Sequence, residues 1–430
     1  MNMQTERERD CPQISLPKRK RTMFFLILYS LFTFDLIARV GINSIFPLIQ
    51  ADLQLTDVQV GMMGSIVLFG MAVFVLPISF LGEKYSTKKG ITLSALIWSI
   101  GTLISGMANN FSTLLISRFF VGSGNSAYAP LSNSLLTSMY PKGDWGKKIG
   151  IYNTGMTLGM ALGAIVFANI ANQFGWRVSF YTVGLASLVL TFISLLLPDP
   201  NNILSNNSTS SKKASTKNQV TLKNTVHIIA KNKSLLGICL GAGLMSTVLQ
   251  GNLSWLSIFF VREMNLSLAF TATLISIISL VSAFGYPIGG AIMDKWYKRD
   301  KRVRVFLPAL SISFAVLCFS IGFYFKIIVL VVAGGFFLTT ACTAYHVSTQ
   351  ELVPTWLKSI SYGVYVVFIQ FFGAAGPLLI GALSEKLSLV NALMIVQLIN
   401  ILAVVIFLIA SRTYISDFNK ARQLEADTNA

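Results

Sequence analysis

Long apolar runs separated by short polar gaps dominate the pattern along the 430-residue chain. A helix that crosses a bilayer needs about 20 mostly apolar residues, and twelve runs meet this requirement. They cover approximately 23–49, 58–81, 88–108, 111–139, 147–171, 177–197, 234–261, 268–292, 303–325, 327–352, 357–384 and 388–411. The pattern predicts an all-α integral membrane protein of twelve transmembrane helices.

Basic residues orient these predicted spans. With the N-terminus inside, 28 of the Lys and Arg residues lie in or beside cytoplasmic segments and 4 in outer ones, a bias typical of this orientation. The one long polar segment, 198–233, has the Asn-, Ser- and Lys-rich composition of a linker. The predicted domains are an N-tail (1–22), a six-helix bundle (23–197), a cytoplasmic linker (198–233), a second six-helix bundle (234–412) and a C-tail (413–430), with both termini cytoplasmic.

Composition excludes the soluble classes. Only 12% of residues are charged, whereas soluble proteins carry about 25%. The net charge of +17 would suit nucleic acid in a soluble chain, but here the basic residues occupy the gaps between spans, so we expect no nucleic-acid partner. The four cysteines form no metal or redox spacing. We expect neither a metal nor a disulfide.

Two loops at equivalent places in the two halves repeat one sequence pattern. Residues 77–89 and 287–299 each read proline, small residues, an acid, a base, an aromatic residue and a basic pair. Together with the division into six plus six spans, this resembles the major facilitator superfamily, which implies two pseudo-symmetric bundles and alternating access. The resemblance assigns to a cytoplasmic gate Glu83, Lys84, Asp294 and Lys295.

The first and fourth runs resemble particular branches of that superfamily. Residues 39–47 read Arg-Val-Gly-Ile-Asn-Ser-Ile-Phe-Pro, and residues 118–130 begin Arg-Phe-Phe-Val-Gly-Ser-Gly-Asn. Both are similar to motifs of the anion:cation symporter and Spinster-like branches. Ala38 and Asn125 stand where those branches carry acids linked to proton coupling. Asp35, one turn before Ala38, is the candidate substitute, and the coupling ion stays open.

Arg39 and Arg118 are basic residues inside predicted spans, away from the loops. A charge at mid-bilayer costs about 2.5–3.5 kcal/mol on insertion scales and must face protein or a water-filled cavity. Asp35 lies four residues before Arg39 on one helix face. Either the two form a structural ion pair, or Arg39 holds a substrate carboxylate or phosphate for which Asp35 competes. Arg118 either snorkels outward or, as the resemblance implies, faces the cavity. Two cavity arginines favour an anionic substrate.

Other polar residues inside the runs are further candidates. His346 titrates at about pH 6.5 when unperturbed and is either a proton relay or a packing residue, whereas Glu351 near the inner end of its run is interfacial or part of a gate. The polar patch 250–252 predicts a break in the seventh span. The proton-coupling candidates are Asp35, His346 and Glu351. The substrate-binding candidates are Arg39, Arg118, Asn125, Tyr128, Gln250, Asn252, Trp255 and Gln370.

Small residues recur every fourth position in the fifth run, at Gly155, Gly159 and Gly163. This spacing is typical of a face on which helices pack closely. Drug:proton antiporters commonly carry a Gly-Pro step here, where this chain has Met160, which argues against efflux.

The sequence lacks a catalytic constellation and a nucleotide-binding P-loop. We therefore expect a transporter rather than an enzyme, without a cofactor. The expected function is proton-coupled secondary transport of a small organic anion by a monomer in a plasma or bacterial inner membrane, with substrate, proton and lipid bilayer as partners. A multidrug or metabolite exporter and a Spinster-like lipid carrier of the same fold are the alternatives.

Overall fold

The computed structural model describes residues 17–141, 144–195 and 228–429, and these are almost entirely helical. The helices of the first half are α1 (Lys18–Val40), α2 (Phe46–Asp52), α3 (Asp57–Tyr85), α4 (Thr87–Gly106), α5 (Phe111–Asn125), α6 (Tyr128–Met139), α7 (Trp145–Phe174) and α8 (Trp176–Leu195). Those of the second half are α9 (Lys233–Ile258), α10 (Leu268–Ala283), α11 (Gly285–Tyr297), α12 (Val303–Tyr324), α13 (Ile328–Glu351), α14 (Lys358–Lys386) and α15 (Leu389–Asn429).

Ten helical segments of the described chain are long and apolar enough to cross a membrane. The predicted spans 88–108 and 111–139 form α4 and the broken pair α5–α6, which are not among the ten. Their polar content has a structural reason, because Ser94, Ser99 and Thr102 of α4 are fully buried inside the protein. The count of twelve spans therefore stays a prediction, while the all-helical membrane fold is confirmed.

The outside of the molecule is apolar. Phe80, Leu76 and Val329 are 66%, 60% and 74% exposed, whereas several buried hydroxyl groups bond to carbonyls of their own helices, as Thr102 Oγ1 does to Trp98 O at 2.7 Å. Such an exterior suits hydrocarbon, where backbone polar groups must be satisfied internally.

Helix α1 packs closely against α7 through glycines, as the small-residue face predicts. A Cβ on Gly159 would come within 2.5 Å of the Leu36 Cβ, and one on Gly41 within 2.5 Å of the Phe167 ring. The chain leaves α-helical geometry at this crossing and forms a 3₁₀ turn over Gly41–Ile45.

The predicted break of the seventh span at residues 250–252 is wrong. Helix α9 runs without interruption to Ile258 and is followed by a π-helical turn over Phe259–Glu263. One polar side chain of this patch finds a partner inside the bundle, since Gln397 Nε2 donates to Asn252 Oδ1 at 3.4 Å while the helix stays unbroken.

The last helix is longer than its apolar run, which ends near residue 411. Its extension covers most of the segment that the sequence predicts as a C-tail. Tyr414 and Phe418 are buried on this extension, and Asp417 Oδ2 accepts hydrogen bonds from the Ser234 backbone N–H at 3.0 Å and hydroxyl at 2.8 Å. The extension thereby holds the first turn of α9. The predicted linker lies mainly outside the described residues, except that 228–231 are helical.

Helices of the two halves meet along α3 with α14 and along α7 with α10. Hydrogen bonds between described residues of the two halves lie between the predicted outer end and the middle, where Gln370 Nε2 faces Met71 Sδ at 3.6 Å. The outer end is held by the ion pair between Arg262 and Asp57, at 2.8 Å. Ser384 Oγ also donates to Asp57, at 2.7 Å. The molecule is therefore closed on its predicted outer side.

Candidate substrate site

A cavity of about 280 Å³ lies between the two halves, inward of the closed outer end. Its walls come from α1, α3, α5 and α7 of the first half and from α9, α11, α13 and α14 of the second. Four of the predicted substrate-binding residues, and one of the predicted proton-coupling residues, line it. They are Arg39, Arg118, Gln250, Gln370 and His346.

Arg39 occupies the last turn of α1, next to the 3₁₀ turn. Its Nη1 lies 3.2 Å from Met71 Sδ, and its Nε is buried without a hydrogen-bond partner among the described residues. A thioether is a weak acceptor. The guanidinium therefore keeps most of its donor capacity for a ligand in the cavity.

Arg118 is fully buried in α5. One donor, Nη2, reaches the Ala38 carbonyl at 3.3 Å, while Nε and Nη1 have no partner in the described part of the chain. The Phe180 ring lies 6.0 Å from the guanidinium carbon. A buried guanidinium with unpaired donors attracts an anion, because an uncompensated buried charge is costly.

Asp35 belongs to the interior of the first bundle, not to the cavity wall. It is 3% exposed, and its Oδ1 has no hydrogen-bond partner among the described residues. The α1 residues that line the cavity are Leu36, Arg39 and Val40. Asp35 therefore does not line the cavity, and no ion pair joins it to Arg39 among the described residues.

His346 lines the cavity within a cluster of aromatic rings. The ring centres of Tyr345, Tyr362 and Tyr365 lie 5.6, 6.0 and 5.1 Å from the imidazole centre. On the facing helix α14, Gln370 is near Met71, the residue that also contacts Arg39. Met71 of the first half therefore contacts side chains from both halves.

The other predicted substrate-binding residues pack inside the bundles. Tyr128 is fully buried and its hydroxyl donates to Leu28 O at 2.8 Å, while Trp255 Nε1 donates to Pro377 O at 2.9 Å. Asn252 lies in a side chamber beyond the main cavity. Asn125 is 4% exposed and both of its side-chain polar atoms lack partners among the described residues.

The remaining predicted residues lie toward the predicted cytoplasmic end. Glu351 accepts a hydrogen bond from Arg304 Nη2 at 2.6 Å and one from the Tyr414 hydroxyl at 3.2 Å, which ties α12, α13 and α15 together. Asp294 and Lys295 are exposed at the end of α11. The side chains of Glu83 and Lys84 lie outside the described part of the structure.

Sequence reasoning missed the outer closure. Arg262 donates to both oxygens of Asp57 at 2.8 Å and to Gln50 Oε1 at 3.0 Å, and Glu385 Oε1 accepts from the Val58 N–H at 2.9 Å. One signal was available, because Arg262 is among only four basic residues on the predicted outer side.

A family model for the Major Facilitator Superfamily matches residues 24–377. The chain belongs to this superfamily. It is therefore an integral multi-pass membrane protein and a transporter, in agreement with the resemblance read from the sequence.

Among superfamily members, the hexuronate transporter of Bacillus subtilis (strain 168) is 24% identical over 379 residues, which cover 84% of this chain and 87% of that protein. A protein of Escherichia coli (strain K12) named "Probable galactarate/D-glucarate transporter GarP" is 22% identical over 403 residues, 87% and 90% of the two chains. A bacterial homolog of the human lysosomal transporter Spinster, solved in an inward-facing and unoccupied conformation, has the same fold. Its TM-score is 0.83 at 20% identity, with coverage of 94% of this chain and 99% of that one.

Proposed function

We propose that the protein carries a small organic anion across the membrane by alternating access, coupled to protons. The observation that carries this proposal is the pair Arg39 and Arg118 in one cavity, with buried guanidinium donors that no described residue engages. Guanidinium groups match carboxylates in charge and in the geometry of paired hydrogen bonds. The names of the hexuronate and galactarate/D-glucarate relatives, both sugar acids, support an anionic substrate.

We assign the coupling proton to Asp35. An ionised Asp35 lies four residues from Arg39 on α1 and partly neutralises it. A proton on Asp35 removes this competition, so that Arg39 attracts the substrate anion more strongly. Proton and anion then bind together, which is the requirement of a symporter.

The closed outer end supports the proposal of alternating access. The ion pair of Asp57 with Arg262 joins the two halves where the cavity ends. Opening toward the outside requires this pair to separate. At the opposite end we assign Glu83, Lys84, Asp294 and Lys295 to the gate that closes when the outer side opens. The cytoplasmic location of that end, and a plasma or bacterial inner membrane, are part of the proposal.

The test uses the purified protein in liposomes with an inward proton gradient and a panel of labelled organic anions. We expect accumulation of at least one organic anion, which stops when a protonophore removes the gradient. Transport only of neutral or cationic compounds would contradict the proposal and favour the exporter. Movement of lipids without any small anion would favour the lipid carrier.

A further inference from the structure

Two polar side chains in the wall of the main cavity already donate hydrogen bonds within the protein. Ser246 Oγ donates to Ile369 O at 2.8 Å, and the Tyr345 hydroxyl donates to Cys342 Sγ at 2.7 Å. Their donors are spent within the protein, whereas the two arginines keep free ones. The two arginines therefore give the main cavity strong sites for an acidic group.

A side chamber of about 80 Å³ adjoins this cavity, between α7 and the helices of the second half. The two spaces share five lining residues, which are Met156, Met160, Leu249, Leu253 and Tyr286. Methionine is unbranched and flexible. The side chains of Met156 and Met160, which lie between the two spaces, can therefore change rotamer to admit a ligand. The rest of the chamber wall includes Leu256, Ile278, Ala283, Phe319, Val331 and Gly335.

Two hydroxyl groups of the chamber wall, those of Ser279 and Thr339, donate to helix carbonyls. Ser279 Oγ donates to Ile275 O at 2.8 Å, and Thr339 Oγ1 donates to Ser282 O at 2.5 Å. Asn252 Nδ2 is the chamber's buried side-chain nitrogen without a partner among the described residues. The chamber thus presents an almost wholly apolar surface, which suits hydrocarbon.

We propose that the substrate is an amphiphilic carboxylate, with its acid group on Arg39 and Arg118 and an unhydroxylated hydrocarbon body that reaches into the side chamber. The proposal rests on the function proposed above and narrows its substrate class. Each methylene moved from water into an apolar site strengthens binding about fourfold. Each hydroxyl group buried without a partner weakens it, so a sugar acid of equal length binds less well.

The first experiment measures binding of butanoate, hexanoate, octanoate, gluconate and octanol to the protein in lipid nanodiscs, with empty nanodiscs subtracted. We expect affinity to rise about fourfold per methylene and hexanoate to bind more tightly than gluconate, which has the same number of carbons. Gluconate equal to or tighter than hexanoate would overturn this inference and leave the proposed anion transport intact. Octanol equal to octanoate would overturn the anion site itself, and with it the proposed function.

The second experiment fills the chamber with Ser279→Leu. Its control is Ser313→Leu, because Ser313 Oγ also donates to a carbonyl of its own helix, Ala309 O at 2.9 Å, but lines neither space. We expect Ser279→Leu to weaken octanoate binding about tenfold or more and to leave butanoate within about twofold, since butanoate is too short to need the chamber. Unchanged octanoate binding by Ser279→Leu would overturn the assignment of the chamber. Retained butanoate binding shows that the variant is folded.

Discussion

A charge inside an apolar run is the residue-scale feature that the sequence displays best. Arg39 and Arg118 lie away from the ends of their predicted spans, and both line the cavity. Whether the side chains of Asn125, Tyr128 and Trp255 face the cavity or the interior of a bundle could not be predicted in the same way. A membrane helix that is apolar on all sides has no hydrophobic periodicity to orient it, and only packing in three dimensions shows that the Tyr128 hydroxyl reaches Leu28 O.

We expect Arg39→Ala to weaken substrate binding about ten- to a hundredfold, because a hydrogen bond to a charged group contributes about 1.5–3 kcal/mol. Binding to the purified variant measures this effect. Arg39→Lys should restore only part of the affinity, since an ammonium cannot reproduce the paired donors of guanidinium. The melting temperature should change little, because the described contact of Arg39 is a weak one to Met71 Sδ. Normal affinity in Arg39→Ala would remove the anion site from the proposal.

The second residue-scale prediction concerns the proton. In the wild type, substrate binding should strengthen as the pH falls, because protonation of Asp35 frees Arg39. Asp35→Asn should bind substrate with little dependence on pH and exchange it across the membrane, but fail to accumulate it on a proton gradient. His346→Asn is the comparison, since His346 also lines the cavity. If His346→Asn loses accumulation and Asp35→Asn keeps it, the coupling proton belongs to the histidine.

At the scale of helices, the presence of the helices was predictable, whereas their interruptions and the extension of α15 beyond its apolar run were not. The run 147–171 predicts α7, which spans Trp145–Phe174. The small-residue face of α7 predicts close packing, but not the 3₁₀ turn over Gly41–Ile45 at the crossing with α1. Conversely, the polar residues in the middle of α9 suggest a break, but the helix is continuous there and Gln397 of a neighbouring helix donates to Asn252 Oδ1.

The glycines of α7 provide the test at this scale. A Cβ at Gly159 would approach Leu36 Cβ to 2.5 Å and Thr33 O to 2.6 Å, whereas one at Gly150 meets nothing within 4 Å. Gly159→Ala should therefore destabilise the protein by about 1–3 kcal/mol through overpacking. Gly150→Ala should be neutral or stabilise it by up to about 1 kcal/mol through helix propensity. Thermal unfolding in detergent measures the stability of both variants. Equal melting temperatures would mean that α1 and α7 accommodate the added methyl group at Gly159 without loss of stability.

At the scale of the whole molecule, the superfamily could be predicted from the sequence, whereas the division into six plus six spans stays a prediction. The conformation of the protein, closed on its outer side, could not be predicted from the sequence. Hydrophobic pattern and positive charge constrain each helix relative to the membrane, but both states of an alternating-access protein satisfy them equally. The closed outer end depends on side-chain pairs between distant segments, such as Asp57 with Arg262.

The last prediction concerns the ion pair that closes the outer side, which Asp57→Asn weakens, with Asp52→Asn as the matched control. Asp57 pairs with Arg262 across the two halves, and Asp52 pairs with Arg177 within the first half, each at 2.8 Å. Asp57 is the more buried of the two acids, so its ion pair is less screened by solvent. A loss of about 1.4 kcal/mol changes the ratio of the inward-open to the outward-open state tenfold. Asp57→Asn should therefore shift the population toward the outward-open state, while Asp52→Asn should leave it unchanged. Distances between spin labels at the outer ends of α3 and α9 report the shift. The same distance distribution in both variants would mean that packing of α3 against α14, not this ion pair, keeps the outer side closed.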